Sequence, residues 1–77
     1  MADLLQNIAR NVYEGDEEAV TALVTSAIEQ GLAPAEILSG GMIAGMDEVG
    51  RDFKAGDLFV PEVLIAARAM HAGMEVL

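Results

Sequence analysis

Apolar residues recur every three to four positions along most of the chain, a spacing that predicts amphipathic helices. The first apolar stripe is Leu4, Leu5, Ile8, Ala9 and Val12, and the second is Ala19, Val20, Leu23, Val24, Ala27 and Ile28. We expect Gly15 to end the first helix and Asp16 to cap the second. Gly31 should close the second helix from the position after its C-cap.

A third helix is predicted to begin at Pro34, because proline suits the first turn of a helix. Its apolar side is Ile37, Leu38, Met42, Met46, Val49 and Phe53, and its glycines are Gly40, Gly41, Gly45 and Gly50. Each interior glycine destabilises a helix by up to ~1 kcal/mol relative to alanine. The glycines therefore indicate either a break near Gly40 and Gly41 or close packing against a neighbouring helix, and we favour close packing.

The fourth predicted helix begins at Pro61, runs to the end of the chain and is apolar around most of its circumference. Its polar residues are Glu62, Arg68, His71 and Glu75, of which the last three cluster on one narrow arc. The interior of one bundle cannot cover so wide an apolar surface. The pattern thus predicts an all-α four-helix bundle without a sheet, whose last helix has apolar surface left over.

The turn between the third and fourth helices is unusually apolar. Turns favour polar residues, glycine and proline, but this one is surrounded by Phe53, Leu58, Phe59, Val60 and Val63. Either these side chains belong to the core, or they form an apolar surface that another molecule or domain covers.

Composition narrows the classes of function. The formal net charge is −9, which disfavours nucleic acid and anionic membranes as partners. The chain has no cysteine, which excludes disulfides and thiolate metal sites and fits a cytoplasmic location.

Polar residues do not form a recognisable active site. His71 and Glu75 lie four residues apart and could supply two metal ligands, but two ligands do not make a site, so we interpret them as a surface pair. The acids Asp16, Glu17 and Glu18 stabilise the start of a helix, while Asp47, Glu48, Asp52 and Asp57 are interpreted as a solvated face. We expect no metal site and no catalysis by this chain alone.

From Gly41 onward the sequence resembles the N-terminal helical cap domain of corrinoid proteins that serve methyltransferases, and the cap module of cobalamin-dependent methionine synthase. The matching positions are Met46, Val49, Gly50, Phe53, Gly56, Phe59, Val60, Pro61, Val63, Ala67 and Met70. The resemblance covers essentially all 77 residues.

The resemblance implies a four-helix bundle that lies over the upper face of a cobalamin or related corrinoid and shields its methyl group during methyl transfer. Phe53, Val60 and Val63 correspond to the apolar residues that contact this face, although the family usually has leucine at the position of Val60. The implied partners are a Rossmann-like corrinoid-binding domain and methyltransferase subunits.

In the family, the histidine that ligates cobalt lies in an Asp-x-His-x-x-Gly motif of the following Rossmann-like domain. Nothing here matches it, since His71 is preceded two positions earlier by Ala69. Residues 1–77 are therefore expected to be a single helical cap domain, the N-terminal part of a longer, non-catalytic methyl carrier. The alternative is a helical interaction or dimerisation module without a small ligand, pairing through Val63, Ala67 and Met70 of the fourth helix.

Overall fold

Four helices make up the computed structural model, which describes the backbone of residues 2–77 and the side chains of residues 3–77. Helix α1 spans Ala2–Glu14, α2 spans Glu17–Glu29 and α4 spans Val60–Val76. Helix α3 is continuous and consists of the turn Pro34–Ile37, a π-helical segment Leu38–Ile43 and the α-helical segment Ala44–Lys54. Residues 2–77 contain no strand, which confirms the predicted all-α bundle; Met1 lies outside the described residues.

The helices alternate in direction through the bundle. Leu5 lies beside Gly40 and Val12 beside Gly45, so α1 and α3 run the same way. Gly15 lies beside Ile65 and Val20 beside Gly73, so α2 and α4 also run parallel to each other. The α1–α2 and α3–α4 connections therefore share one end of the bundle, formed by residues 13–16 and 52–63, which we call the Phe53 end.

The core comes from the predicted apolar stripes. The largest fully buried side chains are Ile8, Val12, Val20, Val24, Ile37, Met42 and Val49, and each lies on a face that periodicity assigned to the interior. Burial of one such aliphatic side chain contributes roughly 1.5–3 kcal/mol. The fully buried residues of helix α4 are all small, namely Ala66, Ala69 and Gly73, while the larger Met70 and Val76 pack against the core without being fully buried.

Helix ends follow the expected capping chemistry. The Asp16 carboxylate accepts a hydrogen bond from the Ala19 N–H at 3.0 Å. Gly15 has a φ of 75° and its N–H donates to the Val12 carbonyl at 3.0 Å, while the Asp16 N–H donates to the Asn11 carbonyl. This is a Schellman motif, and it confirms the predicted end of α1 and start of α2. Gly31 closes α2 in the same way.

The glycines of α3 were expected to mark either a helix break or close packing, and the structure shows close packing together with a local change of winding. The helix does not break at Gly40 and Gly41 but widens there into the π-helical segment. A Cβ on Gly41 would lie 2.9 Å from Ile8 Cγ2, and one on Gly45 would lie 2.6 Å from the Ala9 carbonyl oxygen. Close packing is therefore confirmed at these two positions. It is wrong for Gly50, where a Cβ would meet nothing within 4 Å.

Candidate functional site

Large apolar side chains are exposed at the Phe53 end. Phe59 is 71% exposed, Val60 57% and Phe53 44%. The interpretation of the turn aromatics as core residues is thus wrong for both Phe53 and Phe59. The remaining alternative, an apolar surface available for covering by another group, describes the structure.

The three predicted site residues lie on both sides of the α3–α4 connection. Phe53 occupies the last turn of α3, Val60 is the first residue of α4, and Val63 follows one turn later and is half-buried. Together with Phe59 they form what we call the apolar end surface. The fold thus brings the predicted residues to the same end of the bundle.

Backbone hydrogen bonds fix the connection that carries this surface. Gly56, with a φ of 87°, donates its N–H to the Phe53 carbonyl at 3.1 Å, and the Asp57 N–H donates to the Asp52 carbonyl at 2.8 Å. The Glu62 carboxylate accepts from the Phe59 N–H at 2.8 Å, which is one half of a capping box. These bonds end α3 and start α4, and the side chains of Phe53 and Phe59 remain exposed.

A tyrosine joins the first and third helices beside this surface. The Tyr13 hydroxyl donates to Asp52 Oδ2 at 2.5 Å. This bond, with smaller contributions from burial and from the Asp52, Asp57 and Glu62 charges, raises the pKa of Tyr13 to about 12. The phenol is therefore protonated at neutral pH and acts as the donor.

The prediction that four acidic residues form a solvated face is wrong for one of them, Asp52. Asp47, Glu48 and Asp57 are exposed as expected, whereas Asp52 is half-buried and bonded to Tyr13. Sequence reasoning missed this pair because its members are 39 residues apart. The one available signal was that Tyr13 directly follows Val12 of the buried α1 stripe.

The polar arc of α4 lines a shallow groove of about 320 Å³. Its walls include Glu17, Leu64, Arg68, His71 and Glu75, and both His71 and Glu75 are exposed. Within the described part of the chain, no group of three or more histidine or acidic residues could hold a metal ion. None of the helices in residues 2–77 is long and apolar enough to cross a membrane.

Comparison with known families decides the identity. Residues 4–77 match the family model of the B12 binding domain. The chain belongs to this family. The resemblance to the helical cap domain of corrinoid proteins is thereby confirmed.

Relatives of this B12 binding domain are corrinoid proteins. Trimethylamine corrinoid protein 2 of Methanosarcina mazei is 40% identical over 75 residues, which cover 97% of this chain and 34% of that protein. The structure of the Methanosarcina barkeri monomethylamine corrinoid protein matches with a TM-score of 0.94 and 25% identity, over 97% of this chain and 35% of that chain.

A chain of the methanol:cobalamin methyltransferase complex from Methanosarcina barkeri matches with a TM-score of 0.89 and 34% identity, over 96% of this chain and 29% of that chain. This B12 binding domain spans about a third of the length of the curated relatives it matches.

The residues of the B12 binding domain fit the face of a corrinoid but not its cobalt. The apolar end surface presents phenylalanine and valine side chains, which suit contact with a broad, flat ring. The chain's single histidine, His71, follows Val60 by eleven residues on α4, roughly 16 Å along the helix axis. The Phe53 end, residues 13–16 and 52–63, therefore contains no histidine that could ligate a metal.

Proposed function

We propose that this B12 binding domain is a non-catalytic cap that covers the upper face of a corrinoid in a methyl-carrying protein. The chemistry of a bound corrinoid is the carriage of a methyl group on cobalt. The observation that carries the proposal is the exposure of Phe53, Phe59 and Val60 at one end of a domain that belongs to a B12-binding family. The cap would keep water and light-driven side reactions away from that methyl group.

Phe53, Val60 and Val63 would contact the corrinoid face. Covering apolar surface stabilises a complex by about 25 cal/mol per Å², and the exposed parts of Phe53 and Val60 are available for it. Valine at position 60 is smaller than the leucine usual in the family, so it would fill less of the contact. The side chains act by excluding water, since none of them can donate or accept a proton.

Further parts of the proposed protein would hold the cofactor and use it. A Rossmann-like domain would supply the cobalt-ligating histidine, and methyltransferase subunits would exchange methyl groups with the carrier. Two findings support this part of the proposal. The chain matches only 34% of the length of a corrinoid protein relative, and one structural neighbour is a chain of a methyltransferase complex. We also propose a cytoplasmic location, and the lack of cysteine is consistent with it.

Valine methyl signals in nuclear magnetic resonance spectra can test the contact directly. We expect the Val60 and Val63 methyl signals of the longer protein to shift when a corrinoid is loaded, because the bound ring system would lie against them and change their magnetic environment. Val76, at the opposite end of α4, is the matched internal control and should not shift. Equal shifts at both ends of α4, or a shift at Val76 alone, would argue against the proposed surface.

Self-association through α4 is the second candidate. Leu64, Ile65 and Met74 are 54%, 46% and 45% exposed, which favours a partner surface. Of the residues predicted for such a dimer, Ala67 is exposed, Val63 is half-buried and Met70 packs against the core. The dimer contact would therefore use mainly Leu64, Ile65 and Met74. If it is correct, analytical ultracentrifugation should show that the isolated chain is a dimer and that Leu64→Asp is a monomer. A wild-type monomer at high concentration would contradict it.

A further inference from the structure

We infer that Tyr13 is a positioning residue: with Asp52 it forms a latch between α1 and α3 that holds the last turn of α3, and therefore Phe53, in place at the apolar end surface. This inference rests on the proposed function of that surface. Phe53 directly follows Asp52 in the sequence. A restraint on Asp52 is thus a restraint on the backbone of Phe53.

Asp52 is held on two sides. Its carboxylate accepts the Tyr13 hydroxyl at 2.5 Å, and its carbonyl accepts the Asp57 N–H at 2.8 Å. The first bond ties α3 to α1, and the second ties it to the connection that leads into α4. Among the side-chain hydrogen bonds found within residues 2–77, the Tyr13 bond alone joins two different helices.

Packing holds the last turn of α3 less firmly than the turn before it. Tyr13 lines two cavities, one of about 350 Å³ with Ala9 and Glu48 and one of about 240 Å³ with Leu58 and Ile65. Phe53 itself is 44% exposed. Val49, one turn before Phe53 on α3, is fully buried, so packing anchors the helix up to that turn, and the Tyr13 hydrogen bond adds a directional restraint on the last turn.

Charges around the phenol extend to higher pH the range over which its hydroxyl stays protonated. Asp52 acts most strongly through its hydrogen bond, and Asp57 and Glu62 add negative charge, so the pKa of Tyr13 rises to about 12. Arg10 and Glu48 line one neighbouring cavity, and Glu14 lines the other. Because only the protonated phenol can donate, the latch is present below this pKa and is lost as the pH rises through it.

Amide hydrogen exchange on the 77-residue chain tests the latch without any cofactor. Tyr13→Phe keeps the ring and removes the donor, so exchange at Gly56 and Asp57 should become roughly fivefold faster, the effect of losing one hydrogen bond of ordinary strength. Asp52→Ala should have the same effect. Asp47→Ala, which removes an exposed acid from the same helix, should have none.

Absorbance titration gives a second readout, since Tyr13 is the only tyrosine and the chain has no tryptophan. Asp52→Asn should lower the Tyr13 pKa from about 12 toward its ordinary value, while Asp47→Asn should leave it in place. Unchanged exchange in Tyr13→Phe, or an unchanged titration in Asp52→Asn, overturns the latch.

The corrinoid-loaded protein separates the latch from the proposed function. If both are right, Tyr13→Phe and Phe53→Ala each accelerate light-driven loss of the methyl group. If Phe53→Ala accelerates it and Tyr13→Phe does not, the latch is overturned as a positioning device while the cap stands. If Phe53→Ala has no effect although Tyr13→Phe speeds amide exchange, the proposed function fails and Tyr13 has only a structural role, which also overturns the inference.

Discussion

Gly45→Ala is expected to destabilise the bundle strongly although it adds a single methyl group. That methyl would lie 2.6 Å from the Ala9 carbonyl oxygen and 3.1 Å from Ala9 Cα, and backbone atoms cannot rotate away as a side chain can. Overpacking of this kind typically destabilises by ~1–3 kcal/mol. In a domain of this size each kcal/mol lowers Tm by about 4–8 °C, so thermal unfolding should show a clear fall.

Gly50→Ala is the matched control for this prediction. Gly50 lies in the same helix, is exposed, and a Cβ there would meet nothing within 4 Å. Alanine should therefore stabilise the helix, by up to ~1 kcal/mol. If Gly45→Ala raises Tm as Gly50→Ala is expected to do, α1 and α3 are not as close as the structure places them.

Phe53→Ala is expected to destabilise the isolated chain only modestly. Replacing a well-packed core phenylalanine by alanine destabilises by ~3–5 kcal/mol, and replacing a buried methionine by ~2–5 kcal/mol. Phe53 is 44% exposed, whereas Met42 of the same helix is fully buried. We therefore expect Met42→Ala to lower Tm more than Phe53→Ala does, although it removes the smaller side chain. The opposite order in thermal unfolding would mean that Phe53 is a core residue.

Periodicity and capping chemistry predicted most of the fold because both act locally. Ile8 and Val12 are one helical turn apart and are both fully buried. Asp16 caps α2 through an amide only three residues away. Such contacts depend on spacing within one helix, which the sequence displays directly.

The features that sequence reasoning missed depend on how helices pack against each other. The π-helical segment at Gly40 and Gly41 is a change of winding, and the glycines there indicated only that something unusual occurs. The Tyr13–Asp52 bond spans 39 residues. Neither can be derived until the neighbouring helix is in place.

The sequence predicted that helix α4 has surplus apolar surface, but it did not predict the orientation of the helix in the bundle. Its wide apolar arc indicated surplus surface but not which side of the helix would face inward. Gly73 decides this, since a Cβ there would lie 2.7 Å from Met42 Sδ and 2.8 Å from Val20 Cγ1. The small residues face the core, Leu64 faces outward, and Ile65 packs against Gly15 while staying partly exposed.

Light-driven loss of the methyl group from the corrinoid-loaded protein is the most direct test of the cap. Met74→Ala is the control, since Met74 is also apolar, 45% exposed and lies at the opposite end of α4 from Val60. The proposed shielding predicts a faster loss in Phe53→Ala than in the wild type, with corrinoid still retained, and an unchanged rate in Met74→Ala. An unchanged rate in Phe53→Ala would contradict shielding by the Phe53 end.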